Sequence, residues 1–244
     1  MRPITPSTAL CGILLHPAGH TRSPAMHNAA FEALGIDARY LAFDVAPARL
    51  ADAIAGARAL RIRQLAVSIP HKEAVLPLLD AVDETARRIG AVNTVTLRGD
   101  RLEGANTDWL GAVRALEHAG GPLRGKRAVV LGAGGTARAV TYGLLARRAQ
   151  VTVLNRTAAR AEALAKELGA AGGGPLEALA GEPYDLLVQT TSVGLRADAS
   201  PIPDEALRAG AVVLDAVYDP LETRLLRAAR ERRCTPVSGR EMLV

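Results

Sequence analysis

A lysine that follows a short aliphatic strand is the first candidate for acid–base chemistry. It stands in the segment V-S-I-P-H-K-E (67–73), where the pattern predicts that a strand ends and a helix begins with Lys72 in its first turn. A cation there opposes the helix dipole, which makes its proton easier to remove. Such a lysine can donate and accept protons near neutral pH. A surface lysine paired with Glu73 is the alternative.

Two hydroxyl residues, Thr21 and Ser23, precede a predicted helix over residues 24–34. Ser23 before Pro24 predicts an N-cap followed by proline at the first helical position. In the functional interpretation, both hydroxyls donate hydrogen bonds to a carboxylate, aided by the positive end of the helix. In the alternative, Ser23 only caps the helix.

Polar residues also stand at the ends of a predicted hairpin. Asn93 interrupts a segment that is otherwise fit for burial, and a buried amide needs partners. It therefore either fixes a loop or binds a hydroxylated ligand. Asp108 follows Asn106 and Thr107 where the hairpin ends and a helix begins. Thr107 or Asp108 is either the cap of this helix or a functional residue.

A glycine-rich turn predicts a dinucleotide site. The segment V-V-L-G-A-G-G-T-A-R-A-V (129–140) follows an aliphatic strand and opens a helix. Gly132 permits the tight turn, Gly134 lets the backbone approach a pyrophosphate, and Ala137 allows close packing of helix on strand. The pyrophosphate would bind the free N–H groups at the helix start. A glycine-rich turn without a ligand is the alternative.

The end of the next strand indicates which dinucleotide binds. Asn155, Arg156 and Thr157 stand where an NAD-binding fold usually has an acidic residue, and Arg160 follows. A carboxylate would repel a 2′-phosphate, whereas arginine binds one with a planar set of donors. The sequence therefore favours NADP over NAD. Alternatively, Thr157 only caps the next helix and Arg156 is solvated.

Two successive α/β alternations must position these residues. In the first half the order β-α-β-α-β favours parallel strands with helical crossovers. A hairpin with its turn at residues 98–100 follows. The predicted strands are 9–15, 39–45, 63–69, 92–97 and 102–105, and the predicted helices are 24–34, 47–60 and 108–119.

The second half repeats the alternation. Its predicted strands are 127–131, 150–154, 185–189 and 211–215, its helices are 136–147, 158–168 and 222–232, and residues 172–175 form a glycine-rich loop. We therefore predict an α/β protein of two domains flanking a cleft: an N-terminal α/β substrate domain, 1–107, and a Rossmann-type dinucleotide-binding domain, 108–244.

Composition excludes several classes of function. The 244 residues are 49% hydrophobic but only 3% aromatic, which excludes overall disorder and argues against a base-stacking nucleic-acid binder. The net charge of +5 comes from scattered arginines, which indicates a solvated surface rather than a nucleic-acid patch. Cys11 and Cys234 fit no zinc spacing, so no metal is expected. Without a signal peptide or an apolar span, we expect a cytoplasmic protein that does not bind membranes.

Read together, the motifs resemble the shikimate dehydrogenase family. The ordered set comprises H-P-A-G-H-T-R-S-P-A-M-H-N, V-S-I-P-H-K, I-G-A-V-N-T, G-A-N-T-D-W-L-G, V-L-G-A-G-G-T-A-R-A, N-R-T, T-S-V-G-L and D-A-V-Y-D-P-L-E-T. The resemblance implies NADPH-dependent reduction of 3-dehydroshikimate to shikimate in chorismate and aromatic amino-acid biosynthesis. It also implies a final Gln-bearing helix, which this sequence lacks.

The resemblance also assigns roles to individual residues. It implies a catalytic pair, Lys72 and Asp108. It implies substrate contacts from Thr21, Ser23, Ser68, Asn93, Asp108 and Tyr218. The implied cofactor contacts are Gly132, Ala133, Gly134, Gly135, Thr136, Ala137, Asn155, Arg156, Thr157, Arg160, Thr191, Ser192, Val217, Gly239 and Met242, with Gly194 in the same loop as Thr191.

Two alternatives stay open on the sequence. One is a quinate/shikimate dehydrogenase with relaxed use of substrate or cofactor, and the other is a non-catalytic NADP-binding paralogue. In the leading hypothesis the partner is the small-molecule substrate alone, bound by a monomer or homodimer.

Overall fold

The computed structural model describes residues 3–19 and 21–243, so His20 of the first motif lies outside the described residues. The chain forms two compact units, Met1–Asn106 and Thr107–Val244. The predicted α/β class is confirmed. None of the helices within the described residues has the length and hydrophobicity needed to cross a membrane.

The first unit is a six-stranded mixed sheet with strand order β2-β1-β3-β5-β6-β4. Strand β1 pairs parallel with β2 and β3, as the predicted crossovers require, and β5 and β6 form the predicted hairpin. The strands are β1 (Ala9–Leu15), β2 (Ala38–Asp44), β3 (Gln64–Val67), β4 (Ala81–Val82), β5 (Thr94–Arg98) and β6 (Arg101–Ala105). The helices are α1 (Ser23–Ala33), α2 (Leu50–Ala59) and α3 (Glu84–Ile89).

The predicted helix after Pro70 is wrong. Residues 69–75 form consecutive turns that lead into the 3₁₀ helix Leu76–Leu78. Pro77 explains the difference, because it has no N–H to continue an α-helix and its ring would clash with the carbonyl of Glu73. Only one helical turn fits before it, so the helix-dipole argument for Lys72 does not apply.

Two further predictions in the first unit need correction. Ser23 is the first residue of α1, and Arg22 is the N-cap. Proline is tolerated throughout the first turn, where N–H groups have no partner in the helix, so Pro24 does not locate the cap. The predicted helix over 47–60 begins as a 3₁₀ turn, Pro47–Arg49, before α2.

The second unit is a six-stranded parallel sheet with strand order β12-β11-β10-β7-β8-β9, which is the Rossmann order. Its strands are β7 (Arg127–Leu131), β8 (Gln150–Leu154), β9 (Gly172–Gly174), β10 (Leu186–Gln189), β11 (Val212–Asp215) and β12 (Thr235–Ser238). Its helices are α4 (Asp108–Gly120), α5 (Gly135–Ala146), α6 (Ala158–Leu168) and α7 (Arg224–Glu231).

The sheet of the second unit is buried on both faces. Along the strands, Val130, Val188 and Leu214 face the core that contains residues of α4 and α5. Their neighbours Val129, Leu187 and Val213 face the core that contains residues of α7. Burial on both faces explains why these strands are continuous apolar runs in the sequence.

The predicted loop at residues 172–175 is wrong, because Gly172–Gly174 is the edge strand β9, parallel to β8. A Cβ on Gly173 would lie 2.6 Å from the carbonyl oxygen of Ala161 in α6. The glycines therefore let helix and strand approach closely, which outweighs their weak strand propensity. Strand β12 was also not predicted, and its Pro236 is tolerated because β12 is the opposite edge strand.

Candidate active site

The turn after β7 has the geometry of a phosphate-binding loop. Gly132 has φ 118°, and a Cβ on it would lie 2.5 Å from Oγ1 of Thr190, so only glycine fits there. Gly134 is the N-cap of α5, and among the described residues a Cβ on it would meet no atom within 4 Å beyond its chain neighbours and the backbone of its helix. The fold thus leaves no room for a side chain at Gly132 and leaves free space beside Gly134.

The start of α5 completes this loop. Ala137 is 1% exposed, whereas Ala133, Gly135 and Thr136 are partly exposed. The buried Ala137 packs in the core that also contains Val153 of β8. The first N–H groups of a helix have no partner within the helix and attract anions. The described residues therefore fit the pyrophosphate of a dinucleotide at this helix start.

The end of β8 is basic and open. Arg156 is exposed, and no hydrogen bond or ion pair to it is found within residues 3–19 and 21–243. Asn155 Nδ2 donates to the carbonyl oxygen of Thr157 at 3.0 Å, and Arg160 Nη2 donates to that of Ala133 at 3.3 Å. Thr157 is the N-cap of α6, but its side chain accepts no capping hydrogen bond. Arg160 thus joins this group to the glycine turn.

A buried amide shapes the loop after β10, which carries Thr191 and Ser192. Gln189 is fully buried and makes three hydrogen bonds to main-chain atoms of Thr191 and Val193, at 2.6 to 3.2 Å. The hydroxyl of Thr190 donates to the carbonyl oxygen of Leu131 at 2.7 Å. Strands β7 and β10 are where the strand order reverses, and ligands of such sheets bind at that point.

The loop after β11 carries Val217 and Tyr218 and is also held by a buried side chain. Asp215 is 1% exposed and accepts hydrogen bonds from the Thr223 hydroxyl at 2.6 Å and the Val217 N–H at 3.0 Å. Burial raises the pKa of Asp215 to about 6, although both hydrogen bonds lower it. Tyr218 itself is half-buried.

The last described segment packs against this loop. Gly239 is buried, and a Cβ on it would lie 2.5 Å from the carbonyl oxygen of Ala216. A Cβ on Gly111 of α4 would clash with the carbonyl oxygen of Met242, and the Met242 side chain packs against the core. Gly239 and Met242 are therefore fixed by close backbone contacts.

In the first unit, Ser68, Lys72 and Asn93 lie together at the carboxyl end of β3. The Val67 N–H donates to the carbonyl oxygen of Asn93, and the Val92 N–H donates to that of Lys72, both at 2.8 Å. Lys72 and Asn93 are half-buried. The Thr94 hydroxyl donates to Oδ1 of Asn93 at 3.0 Å, which orients the amide.

A buried histidine that the sequence analysis missed supports the turn that carries Lys72. His71 is 1% exposed, and its Nε2 lies 2.7 Å from the carbonyl oxygen of Val45, so Nε2 carries the hydrogen. Burial lowers the pKa of His71, which favours the neutral ring. Its main-chain N–H donates to the carbonyl oxygen of Ser68.

The hydroxyl pair lies after β1, at the same end of the sheet. The hydroxyl of Thr21 accepts the N–H of Ser23 at 3.3 Å, so Thr21 rather than Ser23 binds a free N–H at the start of α1. The His16 N–H donates to the carbonyl oxygen of Ile69, which joins the loops after β1 and β3. The first unit thus presents Thr21, Ser23, Ser68, Lys72 and Asn93 at one edge.

Asp108 belongs to the second unit, as the first residue of α4. A carboxylate in the first turn of a helix is stabilised by the dipole. Thr107 is the N-cap, but its side chain accepts no capping hydrogen bond, and Asn106 is buried with Nδ2 donating to the carbonyl oxygen of Ala91 at 2.9 Å. Asn106 therefore has a structural role.

Comparison with known proteins shows the family of this chain. The family model "Shikimate dehydrogenase substrate binding domain" matches residues 13–95, and the model "Shikimate / quinate 5-dehydrogenase" matches residues 114–192. A relative from Moorella thermoacetica, named shikimate dehydrogenase (NADP(+)), is 48% identical over 100% of this chain and 87% of its own length. The chain belongs to the shikimate dehydrogenase family. The resemblance found in the sequence is thereby confirmed.

Solved structures of this family have the same fold. The shikimate dehydrogenase of Aquifex aeolicus matches with a TM-score of 0.92 and 36% identity, over 99% of this chain and 90% of that one. The enzyme of Thermus thermophilus in complex with NADP(H) and shikimate matches with a TM-score of 0.87 and 42% identity, over 96% and 88%.

Proposed function

We propose that this chain is an NADP-dependent shikimate dehydrogenase that reduces the ketone of 3-dehydroshikimate to shikimate and catalyses the reverse reaction. The observation that carries the cofactor assignment is the end of β8, where Arg156 stands exposed and no carboxylate follows the strand. Arg156 suits a 2′-phosphate, and the NADP-dependent relative aligns along the whole chain.

In this proposal the two halves of the chain have different roles. Residues 1–107 supply the proton and most of the substrate contacts, and residues 108–244 bind the cofactor and add Asp108 and Tyr218 to the substrate contacts. The first family model supports this division, because its description names substrate binding and it matches residues 13–95. The Rossmann strand order of the second unit supports the other half of it.

In this proposal the second unit binds NADP along the switch point of its sheet. The pyrophosphate is bound by the turn from Gly132 to Ala137, which includes Ala133, Gly134, Gly135 and Thr136. The adenosine half is bound by Asn155, Arg156, Thr157 and Arg160. The nicotinamide half is bound by Thr191, Ser192, Val217, Gly239 and Met242. The open space beside Gly134 supports this placement.

The substrate residues are assigned by chemistry and by family resemblance. Hydroxyls of Thr21 and Ser23 suit the carboxylate of shikimate. The amide of Asn93 and the carboxylate of Asp108 suit ring hydroxyls, since an amide donates and accepts while a carboxylate accepts. Ser68 and Tyr218 add hydroxyl groups. The orientation of Asn93 by Thr94 supports its role, because a fixed amide loses less entropy on binding.

The chain's own part in the reaction is proton transfer and charge stabilisation. NADPH, when bound, supplies the hydride. As negative charge grows on the carbonyl oxygen, the Lys72 ammonium stabilises it and donates the proton that forms the hydroxyl. Lys72 then regains a proton from solvent. Asp108 accepts a hydrogen bond from a neighbouring hydroxyl and thereby orients the ring.

A steady-state assay tests the function. Purified protein is given shikimate or quinate with NADP or NAD, and reduction of the cofactor is followed by absorbance. We expect kcat/KM to be highest for shikimate with NADP. A higher value for quinate would assign the chain to the quinate branch that the second family model includes. NADPH binding without turnover of either substrate would support the non-catalytic alternative.

A further inference from the structure

Two buried polar residues stand side by side at the ends of neighbouring strands of the second unit. Gln189 ends β10, Asp215 ends β11, and the two are register partners in the parallel pair. They are 0% and 1% exposed. A buried polar group is costly unless it is hydrogen-bonded, so both side chains need partners.

Gln189 directs its side chain at the loop that follows its own strand. Its Oε1 accepts the N–H of Thr191 at 2.6 Å, and its Nε2 donates to the carbonyl oxygens of Thr191 at 3.2 Å and Val193 at 3.0 Å. One side chain thus binds three main-chain groups of the loop that follows β10.

Asp215 does the same for the loop after β11. Its two carboxylate oxygens accept the Val217 N–H and the Thr223 hydroxyl, and Thr223 in turn accepts the N–H of Leu226 as the N-cap of α7. The carboxylate therefore joins the first turn of the loop to the helix that ends it. Tyr218 lies between these two attachment points.

We propose that Gln189 and Asp215 are paired positioning residues that hold the loops bearing Thr191 and Tyr218 in their binding conformation. The proposal rests on the proposed function, which assigns Thr191 to the cofactor and Tyr218 to the substrate. Neither Gln189 nor Asp215 contacts a ligand in this scheme. Each acts through the main chain of its own loop, so their effects on the two ligands should separate.

The alternative is that both residues only stabilise the fold. A structural role predicts loss of thermal stability with unchanged binding by the molecules that stay folded. A positioning role predicts altered binding constants at a temperature where the variant is fully folded. The experiment therefore measures binding and kinetic constants on variants whose circular dichroism matches the wild type.

Gln189→Met removes the polar atoms at similar volume, and Asp215→Ala removes the carboxylate. Asp215→Asn keeps an oxygen that can accept the Val217 N–H. Thr141→Val is the matched control, because Thr141 is a fully buried polar residue of α5 whose hydroxyl has no partner within the described residues. NADPH binding is measured by fluorescence titration, shikimate binding by calorimetry, and KM and kcat by the steady-state assay.

We expect Gln189→Met, which removes three hydrogen bonds from this loop, to raise the NADPH dissociation constant about tenfold, with shikimate KM nearly unchanged. We expect Asp215→Ala to raise shikimate KM about tenfold with a smaller effect on NADPH. Asp215→Asn should restore shikimate KM to within about threefold of the wild type. Thr141→Val should bind and react as the wild type does.

Wild-type binding constants in folded Gln189→Met and Asp215→Ala would overturn the proposal. It would also be overturned if either variant changed the NADPH dissociation constant and the shikimate KM by the same factor. If Asp215→Ala does not fold, Thr223→Val and Thr223→Ser replace it, and only the valine variant should raise shikimate KM. A wild-type protein without turnover would refute the proposed function, while the NADPH titration of Gln189→Met would still decide the positioning role.

Discussion

Ionisation of Asp215 should lower the stability of this protein as the pH rises. Burial raises the pKa of this carboxyl from 3.8 to about 6, and the hydrogen bonds from Thr223 and Val217 offset only part of that effect. The folded state therefore binds this proton more tightly than the unfolded state does. Between these two pKa values, raising the pH ionises the unfolded chain first and favours unfolding.

The magnitude follows from the size of the shift. A difference of about two pH units, at about 1.4 kcal/mol per unit, lowers the free energy of unfolding by about 3 kcal/mol in total. The loss occurs between about pH 4 and pH 6 and is complete above that window. Asp215→Asn has no such titration, so its stability relative to the wild type should rise by about 3 kcal/mol across the same window.

Urea unfolding followed by circular dichroism at several pH values from about pH 4 to pH 7.5 measures this difference. Taking the variant minus the wild type cancels every other titrating group. Asp185→Asn is the control of opposite sign, because hydrogen bonding and charge from Arg127 lower the pKa of Asp185, whose stabilising contribution is lost as the pH falls. Parallel curves for Asp215→Asn and the wild type would refute the reasoning.

Three substitutions test the proposed site. Lys72→Ala should lower kcat about 10²- to 10⁴-fold, the typical contribution of a general acid, and leave the NADPH dissociation constant unchanged; near-normal turnover would remove Lys72 from the mechanism. Arg156→Ala should weaken NADPH binding about tenfold or more and NADH binding hardly at all. The control is Arg124→Ala, an exposed arginine before the start of β7, which should change the binding of neither cofactor. An equal loss of affinity for both cofactors in Arg156→Ala would contradict the phosphate assignment. Gly134→Ala should weaken NADPH binding and leave the stability unchanged. Gly132→Ala should cost about 1–3 kcal/mol of stability, because the residue has a positive φ and the added Cβ would clash with the Thr190 hydroxyl. Fluorescence titration measures the loss of binding, and thermal melts measure the loss of stability.

Much of the fold could be predicted because its strands are buried on both faces. Mostly aliphatic runs such as 127–131 and 150–154 predict buried parallel strands in an α/β chain. Strands β7 and β8 have these bounds. The glycine turn was predictable for a related reason. Gly132 needs a positive φ, and the strand before it and the helix after it are both visible in the sequence.

The errors have two causes, long-range packing for one segment and a nearby proline for the other. Three successive glycines indicate a loop locally, yet α6 packs so closely on Gly173 that this segment becomes strand β9. The end of a strand before Lys72 indicates a helix start in the sequence, and the structure forms only one helical hydrogen bond there, from the Val75 N–H to the His71 carbonyl oxygen. Pro77 ends it before a second turn can form.

Residues assigned to ligand binding are easier to recognise in the sequence than the residues that position their loops. Arg156 and Lys72 interrupt apolar patterns with an exposed or half-buried charge, so their types alone suggest chemistry. Gln189 and Asp215 end apolar strands and look like the first residues of polar loops, although both are buried. Their burial depends on the parallel pairing of β10 with β11, which joins residues 26 positions apart. A search of predicted parallel strands for polar residues at equivalent ends, each followed by a loop with assigned ligand residues, would have found both. A polar side chain buried at such a position needs hydrogen-bond partners, and the backbone of the following loop can supply them.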